Sequence, residues 1–109
     1  MLQQQPVCAA AFPQGSGLVL SNATSVIPSN TYTIALLFKF DTVSGSRRIL
    51  DTKNASPDHG LYVANGFLNL YPSGVQSATA CVTNNTWHQI VLTRDFAGVV
   101  TVYSDGVAR

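Results

Sequence analysis

Between Thr31 and Asp41 a large apolar side chain falls on every second residue: Tyr32, Ile34, Leu36, Phe38 and Phe40. An extended strand with one face in a core spaces side chains in this way, whereas on a helix the same five would be spread around the whole circumference. The intervening positions are Thr33, Ala35, Leu37 and Lys39, so the opposite face is mostly polar or small, with Leu37 as the exception. This segment commits the chain to a sheet whose inner side is covered by something else.

The rest of the sequence repeats the pattern in shorter pieces. Gly17–Leu20, Arg47–Thr52, Gly60–Ala64, Phe67–Tyr71, Trp87–Asp95 and Val99–Ser104 read as strands, separated by clusters of Ser, Asn, Gly, Asp and Pro. Asn65-Gly66 between two of them is the dipeptide that a type I′ hairpin turn requires. Helices have little to work with. Only 10% of the 109 residues are charged and Glu is absent, so no long helix could carry a salt-bridged outer face. A net charge of +1 gives no electrostatic footprint for nucleic acid, and no apolar run approaches the 18 or so residues of a membrane-spanning helix. One all-β domain is expected over residues 15–109, an antiparallel β-sandwich, preceded by an N-terminal arm or leader over residues 1–14. Its core should hold the alternating face together with Trp87 and several of Leu61, Val63, Leu68, Leu70, Ile90, Leu92, Val100 and Val102.

The segment Thr86-Trp87-His88-Gln89-Ile90-Val91-Leu92-Thr93-Arg94-Asp95, followed by Val99 to Gly106 with its Tyr103-Ser104-Asp105-Gly106 turn, resembles the Trp-His strand and Tyr-x-Asp-Gly hairpin of concanavalin A-like, laminin G-like domains. Tyr32–Phe38, Arg48-Ile49-Leu50-Asp51 and Gly60-Leu61-Tyr62-Val63 match in kind and order. The resemblance implies a jelly-roll-like sandwich and a non-catalytic recognition or adhesion module, extracellular or at the cell surface, with a glycan as the natural ligand class. The family continues beyond the Asp-Gly turn with further strands, whereas only Val107, Ala108 and Arg109 follow here. A partial sandwich completed by oligomerisation is therefore expected, with the edge of Val99–Ser104 open and a homodimer as the simplest closed form. The contrasting reading is a self-assembling structural β-protein with no ligand.

Candidate chemistry is sparse. Glucanases of this superfamily use paired carboxylates, typically Glu, and this chain has none. The five acidic residues are all Asp, placed singly near turns and strand ends, and neither His59 nor His88 lies in a nucleophile-elbow sequence, so no enzyme is expected. The residues proposed for ligand contact are Asp58, His59, Tyr62 and Asn65, with Tyr71 and Tyr103 as further aromatic surfaces. No cofactor is expected. A calcium ion of the kind laminin G-like domains often carry would fall to Asp51 and Asp58, with Asn54 and Asn65 nearby, a set short of the six to eight oxygens calcium takes. Arg47 and Arg48 read as the solvated start of a strand. Cys8 and Cys81 could close one disulfide or stand as two free thiols. Asn22, Asn54 and Asn84 lie in glycosylation sequons.

Overall fold

The computed structural model describes residues 8–27, 29–52 and 58–109. Two four-stranded antiparallel sheets form the fold. Sheet A runs in the order β1 (Tyr32–Phe38), β6 (His88–Arg94), β7 (Val100–Ser104), β8 (Val107–Ala108). Sheet B runs in the order β2 (Ser46–Asp51), β3 (Gly60–Ala64), β4 (Phe67–Tyr71), β5 (Val75–Gln76). A single helical turn, α1 (Ala23–Val26), precedes them.

The period-two rule decides which side chains enter the core. In β1, residues 32, 34, 36 and 38 are more buried than those between them. Register carries this parity across sheet A: Ile34 lies opposite Leu92, Leu36 opposite Ile90, and Phe38 opposite His88. In sheet B the inner row is Leu50, Leu61, Leu70 and Val75, flanked by the row of Arg47, Val63 and Leu68. The buried cluster consists of Leu61, Val63, Leu68, Val82 and Ile90, with Phe38, Phe40, Ile49, Leu50 and Val102 packed around it. Val82 sits between strands and enters the core because the Gly66 carbonyl accepts hydrogen bonds from both Cys81 N–H (2.9 Å) and Val82 N–H (3.0 Å).

The β3–β4 hairpin turns at Asn65 (φ 50°) and Gly66 (φ 86°), the two left-handed residues that a type I′ turn requires. Asn65 Oδ1 also accepts the Gly45 N–H at 2.9 Å and ties the preceding loop to the hairpin.

Three expectations need correction. Trp87 is not in the core: it lies just before β6, is 49% exposed, and has the Lys39 ammonium 5.6 Å from its ring centroid. His88 takes the inward position at 6% exposure, because pairing Phe38 with His88 puts even-numbered residues of β6 inside. Gly17–Leu20 forms no strand, and Leu18, Val19 and Leu20 are exposed. Nor is β7 an open edge: Tyr103 and Ser104 pair with Ala108 and Val107, and Arg109 N–H reaches the Val102 carbonyl at 2.9 Å. Two residues after the Asp105-Gly106 turn suffice to cover that half of the strand. Cys8 and Cys81 are free thiols, exposed and half-buried respectively.

Candidate functional site

Side chains that point away from the core on sheet B come together in two cross-strand rows. Ser46 pairs with Ala64, and Arg48 with Tyr62, which in turn pairs with Asn69. Ser46, Ala64, Tyr62 and Asn69, with Tyr71 and Asp58, line a shallow recess of about 390 Å³, near the low end of the range of roughly 300–1,000 Å³ typical of small-molecule sites, and Arg48 lies beside it. A register shift in β2 between Arg48 and Leu50 sets Arg48 against Tyr62 while Leu50 stays in the core.

Arg48 organises the floor. Its Nε donates to Tyr62 Oη at 2.8 Å, Nη1 to Asp51 Oδ2 at 3.0 Å, and Nη2 to Asp58 Oδ1 at 3.0 Å. Tyr62 Oη donates to the same Asp58 oxygen at 2.5 Å. The hydrogen bond to Tyr62 and the two nearby carboxylates hold the guanidinium protonated even more firmly than usual. Partial burial, then donation to the Asp58 carboxylate, pushes the Tyr62 phenol above its ordinary value. Tyr71 meets Tyr62 edge-on, with ring centroids 6.5 Å apart and planes at 80°, and is itself exposed. Asn69 Nδ2 donates to the Phe67 carbonyl at 3.2 Å. Among the described residues, Asp58 Oδ2, Asn69 Oδ1 and Ser46 Oγ have no hydrogen-bond partner, so one carboxylate oxygen, one amide oxygen and one hydroxyl line the recess beside the Tyr71 ring.

Of the four residues proposed for ligand contact, Asp58 and Tyr62 meet in this recess. His59 and Asn65 lie outside its lining, and Asn65 is occupied as the turn residue described above. Asn69 and Ser46 are not singled out by the sequence, in which Arg48 reads as the solvated start of a strand. The signal for Arg48 was its place two residues before the apolar Leu50, but the register shift that turns it onto the outer face cannot be read from alternation.

Asp51 and Asp58, the pair considered for calcium, are bridged by one guanidinium, and a cation between them would lie against a fixed positive charge. Asn54 of that oxygen set lies outside the described residues. Among the described residues no three His, Cys, Asp or Glu side chains converge on a point.

The second polar cluster is structural. His88 Nδ1 lies 2.7 Å from Asp105 Oδ2, and Nε2 accepts the Thr83 backbone N–H at 3.1 Å. An amide can only donate, so Nε2 must be the unprotonated nitrogen and Nδ1–H must donate to Asp105. Asp105 Oδ1 accepts the Gln89 N–H at 2.9 Å. The bond from His88, then that from Gln89, lowers the Asp105 carboxyl below its ordinary value. Both imidazole nitrogens are thus engaged in clasping the β7–β8 turn and the Thr83 loop to β6, which leaves neither for a general base.

Comparison with known proteins agrees with the two-sheet fold. A family model, laminin G-type, of the concanavalin A-like lectin/glucanases superfamily matches residues 13–109. No curated protein and no solved structure matches the chain.

Proposed function

Because the chain belongs to the concanavalin A-like lectin/glucanases superfamily, we propose that it is a non-catalytic recognition module that binds a glycan in the recess on the outer face of sheet B, at the cell surface or outside the cell. The observation that carries this reading is the pairing of an exposed aromatic wall, Tyr71, with oxygens of Asp58, Asn69 and Ser46 that have no hydrogen-bond partner among the described residues. A sugar presents an apolar C–H face for an aromatic ring and a ring of hydroxyls for fixed acceptors, and orientation comes from a few polar groups placed in advance. Arg48 supports this by pinning Asp58 and Tyr62, so that little side-chain freedom is lost on binding.

The carboxylates support the non-catalytic reading. Glycoside hydrolysis needs two carboxyl groups flanking the scissile bond across an open cleft. Here Asp51 and Asp58 share one guanidinium instead. The extracellular setting rests on the family's habit; no described helix is long and apolar enough to cross a membrane.

A glycan array, followed by titration of any retained oligosaccharide, tests the reading. Tyr71→Ala should weaken binding by about 3- to 10-fold, the worth of one aromatic contact, with the fold intact because Tyr71 is exposed. Asp58→Asn should weaken it further by loosening Arg48. An array with no retained glycan, or binding indifferent to both substitutions, overturns the assignment of the recess.

A further inference from the structure

The recess on the outer face of sheet B is one-sided in its hydrogen-bonding chemistry. Asp58 Oδ2 and Asn69 Oδ1 can only accept, and neither has a partner among the described residues. The Ser46 hydroxyl and the second N–H of Asn69 can donate, but neither carries charge. The cationic donor beside the recess is engaged elsewhere. Arg48 gives Nε to Tyr62, Nη1 to Asp51 and Nη2 to Asp58, and its guanidinium carbon lies 5.1 Å from the Tyr62 ring centroid.

The charges of this hydrogen-bonded group do not cancel. Two carboxylates, Asp51 and Asp58, stand against one guanidinium, which leaves a net negative charge. The two Asp58 oxygens also differ in their tasks. Oδ1 accepts from both Arg48 and Tyr62 and so fixes the carboxylate, whereas Oδ2 takes part in neither bond, and the side chain is 41% exposed. Two aromatic rings share the recess: Tyr71 is 51% exposed and stands at 80° to Tyr62. The face of an aromatic ring attracts a cation placed over it. Rings and carboxylate therefore pull in one direction, toward a ligand with positive charge and away from one that brings a sulfate or a carboxylate.

Resting on the glycan reading above, we propose that the sugar taken by this recess is an amino sugar with a free ammonium group, its nitrogen donating to Asp58 Oδ2 and its C–H face set against Tyr71. An ammonium brings three N–H donors to a lining rich in acceptors, where a hydroxyl brings one. A neutral hexose reaches the same oxygens but leaves the Asp58 charge uncompensated. A uronic acid or a sulfated sugar sets like charges together.

Calorimetric titration of the full chain with oligosaccharides of one linkage provides the test: oligomers of glucosamine, of N-acetylglucosamine and of glucuronic acid. The free-amine oligomer should bind tightest, by about 5-fold or more over the N-acetylated one, and the preference should shrink as salt rises. Asp58→Asn should bring the two within about 2-fold of each other, whereas Tyr71→Ala weakens both. Ser46→Lys sets a fixed cation in the lining at an exposed position and should abolish the preference with the far-ultraviolet spectrum unchanged. Equal or tighter binding of the N-acetylated or acidic oligomer, still sensitive to Tyr71→Ala, overturns the amino-sugar assignment and leaves the glycan site standing. Nα-acetyl-lysine amide bound as tightly as the free-amine oligomer also overturns it, since the recess would then read an ammonium without its sugar. Failure of every oligosaccharide to bind overturns this inference and the glycan reading together.

Discussion

Asp105→Ala examines the clasp that joins the last hairpin to the body of sheet A. The carboxylate accepts from the His88 ring at 2.7 Å and from the Gln89 amide at 2.9 Å. His88 is buried, so its orphaned Nδ1–H cannot be rehydrated without opening the structure, at a cost of about 1–3 kcal/mol. The Gln89 amide belongs to an exposed residue and loses closer to 0.5 kcal/mol. Asp105 itself has φ 50°, a left-handed conformation that Asp tolerates and that costs alanine roughly 1 kcal/mol more. Together these give a loss of about 3 kcal/mol, a large fraction of the 5–15 kcal/mol that ordinarily separates folded from unfolded chains. Asp105→Asn keeps the backbone preference but offers only one oxygen to two donors, and should lose about 1–2 kcal/mol. Urea unfolding followed by Trp87 fluorescence measures both. A loss below about 1 kcal/mol for Asp105→Ala would refute the view that His88 is held by this carboxylate.

The same group sets a pH dependence. Its carboxyl is lowered in the folded protein below its ordinary value of 3.8, so its contribution is complete above that value and is lost as pH falls further, through the folded value. Wild-type stability should therefore drop below about pH 4, and Asp105→Asn should show a flatter curve there. Gly60→Ala should prevent β2 from pairing with β3, because a Cβ at Gly60 would overlap the Leu50 carbonyl oxygen; loss of the cooperative unfolding transition is expected. Leu61→Ala, at the centre of the buried cluster, should cost about 3 kcal/mol in urea unfolding, and Phe38→Ala less, because Phe38 is only half-buried. Ser104 Oγ is fully buried without a partner among the described residues, so Ser104→Ala should be neutral or stabilise by up to about 1 kcal/mol.

What could be read in the sequence was whatever depends on side-chain parity within one strand. Tyr32 to Phe40 and the Asn65-Gly66 turn are local patterns, and the fold realises both. Trp87 shows where composition misleads. With Ile90 and Leu92 inside, parity alone directs His88 inward and Trp87 outward, but the size of the indole argued for burial against that rule. Val82 was invisible because no periodic run surrounds it; its burial depends on the Gly66 carbonyl, 16 residues away in the chain. The recess was half legible. Asp58 and Tyr62 are polar and aromatic residues in a promising loop and strand, whereas Arg48 and Asn69 join them only through the register of three strands, which a single strand's pattern does not contain.

The central claim, that sheet B carries the ligand site on its outer face, is tested most directly by mapping amide chemical shifts of the isotopically labelled protein while titrating an array-selected oligosaccharide. The account predicts saturable changes concentrated at Ser46, Arg48, Asp58, Tyr62, Asn69 and Tyr71, with β6 and β7 undisturbed. Changes concentrated instead on sheet A, around Leu37, Val91 and Tyr103, would contradict it.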